Sequence, residues 1–185
     1  METMQIGKSE VYAPRITLGT YGIGGGTSWQ DTTDDDLELV NFIKEAHELG
    51  INGIDTAPVY GTGRSEEIVG KAIHDDRENF YLSSKCTLNW RSTDGKFEYE
   101  RDGKSVYLNF SKDSIIADVE DSLRRMNTDY IDVMIIHRCP PIDAFGEVME
   151  AMETLREREL IRAVGLSNTR LSENPAASIE ACVRN

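Results

Sequence analysis

The sequence predicts an α/β protein of the parallel (β/α) TIM-barrel type, a partial barrel of five β-α units forming a single domain over residues 1–185. Three observations carry this. Five short apolar runs alternate with amphipathic helical stretches, and their starts lie roughly thirty to fifty residues apart, the spacing of right-handed βαβ crossovers. The runs are rich in β-branched residues with little polar alternation, as strands covered on both faces are. Polar residues recur at the C-terminal ends of runs two to five, the rim on which barrel enzymes assemble their chemistry.

Arg15 to Thr20 reads as the first strand, leading into the glycine-dense loop Tyr21 to Gly26. That loop fails as a dinucleotide fingerprint, because Thr27 stands where G-x-G-x-x-G needs its last Gly or Ala and the next helix waits until Thr33. Thr33 and Asp36 occupy capping-box positions, Leu37, Val40, Ile43 and Ala46 form an apolar stripe, and Gly50 supplies the stop. The second strand, Ile51 to Thr56, carries Asp55 at its end, with Tyr60 in the following loop and a helix opening at Ser65. A third strand from Asn79 to Ser84 ends at Lys85. Residues 87–111 form a polar, aromatic-rich rim insertion with Asp94-Gly95 and Asp102-Gly103 as turn signals, consistent with a short hairpin. Ser111 caps a helix whose buried face is Ile116, Val119, Leu123 and Met126. Tyr130 to Ile136 is the strongest strand signal and ends at His137. A helix marked by Phe145, Val148, Met152 and Leu155 leads to a fifth strand, Ile161 to Leu166, that ends at Ser167-Asn168, and a last helix is predicted near Pro175.

Composition narrows the function. The net charge of −13 and the dispersed Lys and Arg argue against a nucleic-acid or anionic-membrane surface and toward small-molecule partners. Cys86, Cys139 and Cys182 have neither the number nor the spacing of a disulfide framework or a metal site, so reduced thiols and no metal are expected. The N-terminal residues lack an apolar signal region, and no apolar run approaches the roughly 20 residues of a membrane span, so a cytoplasmic protein is expected.

Asp55, Tyr60, Lys85 and His137 on one rim make chemical sense as a proton-delivery device. A phenol is a weak acid, with an ordinary pKa of about 10, and a neighbouring ammonium stabilises its phenolate. Lys85 can supply that charge, Asp55 can keep it protonated and fixed, and His137 can donate a second hydrogen bond to a substrate oxygen. Such a site protonates a developing alkoxide while hydride arrives from a separate donor. Ser167 and Asn168 offer groups suited to holding a carboxamide. Taken singly, each of these residues is more often a cap or loop former; the repetition at four strand ends favours a site.

These segments resemble the aldo-keto reductases. GIDTAPVYGTGRSEEIVG is similar to the first signature of that family, DSLRRMNTDYIDVMIIHR to the segment around its substrate-orienting His, and METLRERELIRAVGLSN to its second signature. The resemblance runs from about Ile16 onward and implies a catalytic tetrad of Asp55, Tyr60, Lys85 and His137. It also implies that Ser167 and Asn168 hold the nicotinamide carboxamide of NADPH, that Gly19 and Thr20 lie on the cofactor side, and that Trp90 contacts the carbonyl substrate.

Members of that family are eight-stranded barrels, and this sequence holds five β-α units. The resemblance therefore leaves the strands that bind the cofactor phosphates outside it, and a five-stranded parallel sheet has open edges that invite self-association or a covering partner. Weak cofactor binding by the 185-residue chain is expected on the same ground. Alternative readings are a non-catalytic binding or regulatory subunit on the same scaffold, as the potassium-channel β subunits are, and a truncated, inactive fragment.

Overall fold

The computed structural model describes residues 2–25 and 35–168. Two short strands, β1 (Thr3–Gln5) and β2 (Tyr12–Pro14), pair antiparallel ahead of the first expected strand. This hairpin lies outside the expected elements, because strands of three residues are too short to carry a periodic signal. There follow β3 (Thr17–Gly19), α1 (Asp36–Glu48), β4 (Gly53–Asp55), a 3₁₀ turn (Tyr60–Gly63), α2 (Arg64–Ile73) and β5 (Tyr81–Cys86). The rim insertion is β6 (Leu88–Asn89), β7 (Lys96–Arg101) and β8 (Lys104–Leu108), in which β7 and β8 form the expected hairpin at Asp102-Gly103 and β6 adds a third antiparallel strand beside β8. The chain continues through α3 (Lys112–Met126), β9 (Ile131–Ile136), α4 (Phe145–Glu157) and β10 (Ile161–Leu166). The helix expected near Pro175, together with Cys182, Thr27 and Thr33, lies outside the described residues.

The five-stranded sheet has the order β10-β9-β5-β4-β3, every pair parallel and neighbours in space following chain order. That is the winding of a barrel wall, and it brings all five C-terminal strand ends to one rim. Between the sheet and its helices lies the main core, in which Ile54, Leu82, Met134 and Ile136 meet Ile68, Val119, Val148 and Leu155. On the other face Tyr81, Val133, Ile135 and Ala163 pack with Ile6 and Val11 from the N-terminal hairpin. Alternate residues of β5 therefore serve two layers: Leu82 and Cys86 join the helical core, and Tyr81 and Lys85 take the opposite side.

Local expectations fare unevenly. Asp35 is the N-cap of α1 and accepts from the Leu37 N–H, and Leu37 itself is exposed although Val40, Ile43 and Ala46 are buried. In α3, Ile115 takes the fully buried place expected for Ile116, and Ser111 stands at the N-cap without a side-chain cap bond. The helices approach closely where Gly70 of α2 meets Met126 of α3: a Cβ there would lie 2.5 Å from the Met126 carbonyl oxygen. No helix among the described residues is long and apolar enough to cross a membrane.

Gly70→Ala should therefore lower unfolding stability by about 1–3 kcal/mol through overpacking against rigid backbone. Gly146→Ala on α4, where nothing lies within 4 Å of the added Cβ, should be neutral or mildly stabilising. Urea denaturation of the two variants measures the contrast.

Candidate active site

Asp55 ends β4, and Lys85 projects from β5 beside it. The Lys85 Nζ donates to Asp55 Oδ2 at 2.8 Å and to the Thr56 carbonyl oxygen at 2.8 Å. The Lys85 side chain is only 8% exposed, so its charge depends on these two acceptors. Nζ lies 4.7 Å from the centroid of the Tyr60 ring, a cation–π distance. On another side the Tyr60 and His137 rings meet at 6.3 Å and 87°, and Tyr21 meets Tyr60 edge-on at 5.0 Å. The structure thus brings Asp55, Tyr60, Lys85 and His137 into one cluster.

Tyr60 is placed by glycine. It starts the 3₁₀ turn, in which Gly61 has φ +58° and packs against Gly24 so tightly that a Cβ on Gly61 would lie 2.1 Å from the Gly24 carbonyl oxygen. A Cβ on Gly24 would in turn lie 2.7 Å from the Tyr60 carbonyl carbon. Part of the glycine-dense loop is therefore explained by close packing on the tyrosine's own backbone.

His137 directly follows β9, and its N–H donates to the Cys86 carbonyl at 3.2 Å. Burial, with the charges of Lys85 and Arg138 nearby, pushes its imidazole down to about 3, so the ring is neutral at physiological pH. Nδ1 is sealed from solvent without a partner. An unpaired acceptor costs less than an unpaired donor, which favours the tautomer with its proton on Nε2.

Ser167 and Asn168 follow β10 at the same rim. The Ser167 N–H donates to the Ile136 carbonyl at 3.0 Å, and the Asn168 Nδ2 donates to the His137 carbonyl at 2.8 Å and to Ser167 Oγ at 3.0 Å. Asn168 is exposed, in the left-handed region at φ +54°. Its amide nitrogen is committed to the protein, so its oxygen is the group left to face a ligand. The other expected residues are placed differently. Gly19 has open space around it, but Thr20 is fully buried, its hydroxyl donating to the Asp55 carbonyl at 3.1 Å and accepting from Ser65 Oγ at 2.7 Å. The Thr20 side chain thus holds the strand ends together and offers no hydroxyl to a cofactor. Trp90 packs under the insertion with Arg125 and Lys104 over its ring at 5.4 and 5.1 Å. It also packs, as Tyr60 and Tyr99 do, against the buried cluster of Ala57, Val59, Leu88 and Val106.

Sequence reasoning missed Ser83. Its hydroxyl donates to Asp55 Oδ1 at 2.9 Å, fixing the carboxylate whose other oxygen receives Lys85. The available signal was period two along β5, which puts Ser83 on the face of Lys85.

The family model for the aldo/keto reductase family matches residues 15–180. The chain is 38% identical over 170 residues to the aldo-keto reductase YhdN of Bacillus subtilis, covering 91% of this chain and 47% of that protein. It is 36% identical over 172 residues to the NADH-specific methylglyoxal reductase of Escherichia coli, covering 91% and 52%. The solved holo form of aldo-keto reductase AKR11C1 from Bacillus halodurans superposes with a TM-score of 0.75 at 32% identity, over 92% of this chain and 51% of that one. The fold and rim define a (β/α) barrel-type protein whose strand ends bring Asp55, Lys85 and His137 together with Tyr60 of the turn after β4. The chain belongs to the aldo/keto reductase family, and it spans about half the length of these relatives.

The burial of His137 makes a signed prediction. Its folded-state value of about 3 lies below the ordinary 6.5, so the unfolded chain binds a proton that the folded chain excludes. The stability tied to the neutral ring is whole above about pH 6.5, declines as the pH falls below that value, and is lost by about pH 3. Urea midpoints followed from neutral to acid pH should fall more steeply for the wild type than for His137→Gln. Parallel curves would show that the ring is not held neutral.

Proposed function

We propose that this site serves NADPH-dependent reduction of aldehydes and ketones to alcohols, with Tyr60 as proton donor. The observation that supports the reading is the Asp55-held ammonium of Lys85 beside the Tyr60 ring, with a neutral His137 on another side. The name of the Escherichia coli relative, a methylglyoxal reductase, supports a small carbonyl substrate, and its NADH specificity makes the choice between NADPH and NADH a matter for measurement.

A reduced nicotinamide, when bound, supplies the hydride that reaches the carbonyl carbon. As the C=O π bond breaks, charge builds on oxygen and Tyr60 gives it the hydroxyl proton. The Lys85 ammonium stabilises the phenolate left behind, and Asp55 keeps that ammonium in place. His137, neutral, donates from Nε2 to the same oxygen, which orients the carbonyl and leaves proton delivery to Tyr60. Ser167 and Asn168 would hold the carboxamide, for which the Asn168 oxygen is free as an acceptor, and Gly19 leaves room for close approach of the cofactor to the main chain. Ser83 acts one step back, as a positioning residue for Asp55.

Tyr60→Phe should reduce kcat for a simple aldehyde by about 10²–10⁴-fold while changing NADPH affinity little, because the hydroxyl acts on the transition state. Steady-state rates of NADPH oxidation and a fluorescence titration separate the two effects, and NADH run in parallel fixes the cofactor preference. Equal losses in rate and affinity would assign Tyr60 to cofactor binding instead.

A further inference from the structure

The arginines are unevenly partnered. Of the eleven described, nine have a carboxylate within ion-pair distance. The two that do not are Arg101 and Arg138. Arg101, on β7 of the insertion, donates to the Val59 carbonyl at 3.3 Å and to the Tyr21 hydroxyl at 3.4 Å, and its guanidinium lies 5.9 Å from the Tyr21 ring and 5.5 Å from the Tyr99 ring. Tyr21 in turn touches Tyr60. Arg138 follows His137 directly, and its charge acts on both His137 and Tyr99. Both arginines are half-buried.

In a chain with 33 acidic and 20 basic residues, two half-buried guanidiniums without a carboxylate run against composition. Desolvating an arginine is unfavourable unless an anion answers it, and a guanidinium fork matches carboxylate and phosphate oxygens. Their neighbours decide which molecule brings that anion: Arg101 reaches Tyr60 through one ring, and Arg138 adjoins His137, the two groups proposed to hold the carbonyl oxygen. We infer that Arg101 and Arg138 form an anion subsite for the carbonyl substrate, so that the preferred substrates are aldehydes or ketones bearing a carboxylate on the far side of the molecule. This rests on the reductase reading of the same site. It deepens that reading by giving the substrate a charge.

The test uses 4-carboxybenzaldehyde and its neutral methyl ester, which share a reactive carbonyl and differ in charge. Calorimetric titration of the full chain should show the acid binding on the order of tenfold or more tightly than the ester, the scale of one charge-assisted bond. The ratio should collapse toward one in Arg101→Gln/Arg138→Gln and be partly kept in Arg101→Lys/Arg138→Lys. Equal binding of acid and ester, no binding of either, or a ratio unaffected by the Gln pair overturns the subsite. Adenosine 2′,5′-bisphosphate provides the other anion source: if its affinity falls with the Gln pair and the acid-to-ester ratio does not, the arginines serve a cofactor phosphate and the inference is wrong. Turnover with NADPH keeps the two proposals apart. Selective acid binding without reduction of either compound would retain the subsite and remove the reductase reading, whereas equal binding with equal reduction would do the reverse.

Discussion

A buried ammonium must have a fixed counter-charge, and the contact between Lys85 and Asp55 supplies it at 2.8 Å. Removing either partner would leave the other charge stranded near the barrel rim, so the surroundings are arranged to keep the pair intact. Ser83 holds the other oxygen of Asp55, the Thr56 carbonyl takes a second bond from Lys85, and the parallel register that sets Asp55 against Ser83 puts both residues at the same height. Tyr60 is then brought to the ammonium by a turn that only glycine at position 61 can make against Gly24. The geometry of the phenol follows from charge pairing below it and backbone packing beside it.

Around this pair, three buried or nearly buried carboxylates join elements that are distant in sequence. Glu66 of α2, fully buried, accepts from Ser84 of β5 at 2.7 Å and from Arg125 of α3 at 2.6 Å. Asp118 of α3 accepts from the Thr87 N–H at 2.9 Å and from Arg91 at 3.0 Å, which anchors the start of the rim insertion. Asp132 of β9 takes Arg77 at 2.8 Å, Arg162 at 3.0 Å and the Leu82 N–H at 3.0 Å, and Tyr130 lies within 4.0 Å of both guanidiniums. Each link ties a helix, loop or neighbouring strand to the strands that carry the tetrad, so the rim is positioned by polar contacts as well as by the apolar core.

Much of this was legible in the sequence because strand ends announce themselves. Apolar runs that stop at Asp55, Lys85 and His137 could be placed on one rim once the βα spacing was read, and the family signatures agreed. What stayed hidden depends on three-dimensional closure. The N-terminal hairpin has strands too short to leave a period, and Thr20, read as cofactor-side, turned inward because the Ser65 and Asp55 groups it bonds arrive from 35 to 45 residues away. The Tyr21–Gly26 loop was weighed as a nucleotide motif and set aside, and Gly24 proves to serve packing against Tyr60. Trp90, whose type suited a pocket, is seated by the three-stranded insertion with Arg125 and against the buried cluster on which Tyr60 also packs.

The central claim is that Lys85 acts through Tyr60, as one proton-donating unit and not as an independent charge. A double-mutant cycle on aldehyde reduction, with Lys85→Met, Tyr60→Phe and the pair, measures that dependence most directly. If the unit is real, the double variant will be about as slow as the slower single variant, since losing the phenol already removes what the ammonium acts on. Losses that multiply in full would contradict the account and assign Lys85 a role of its own.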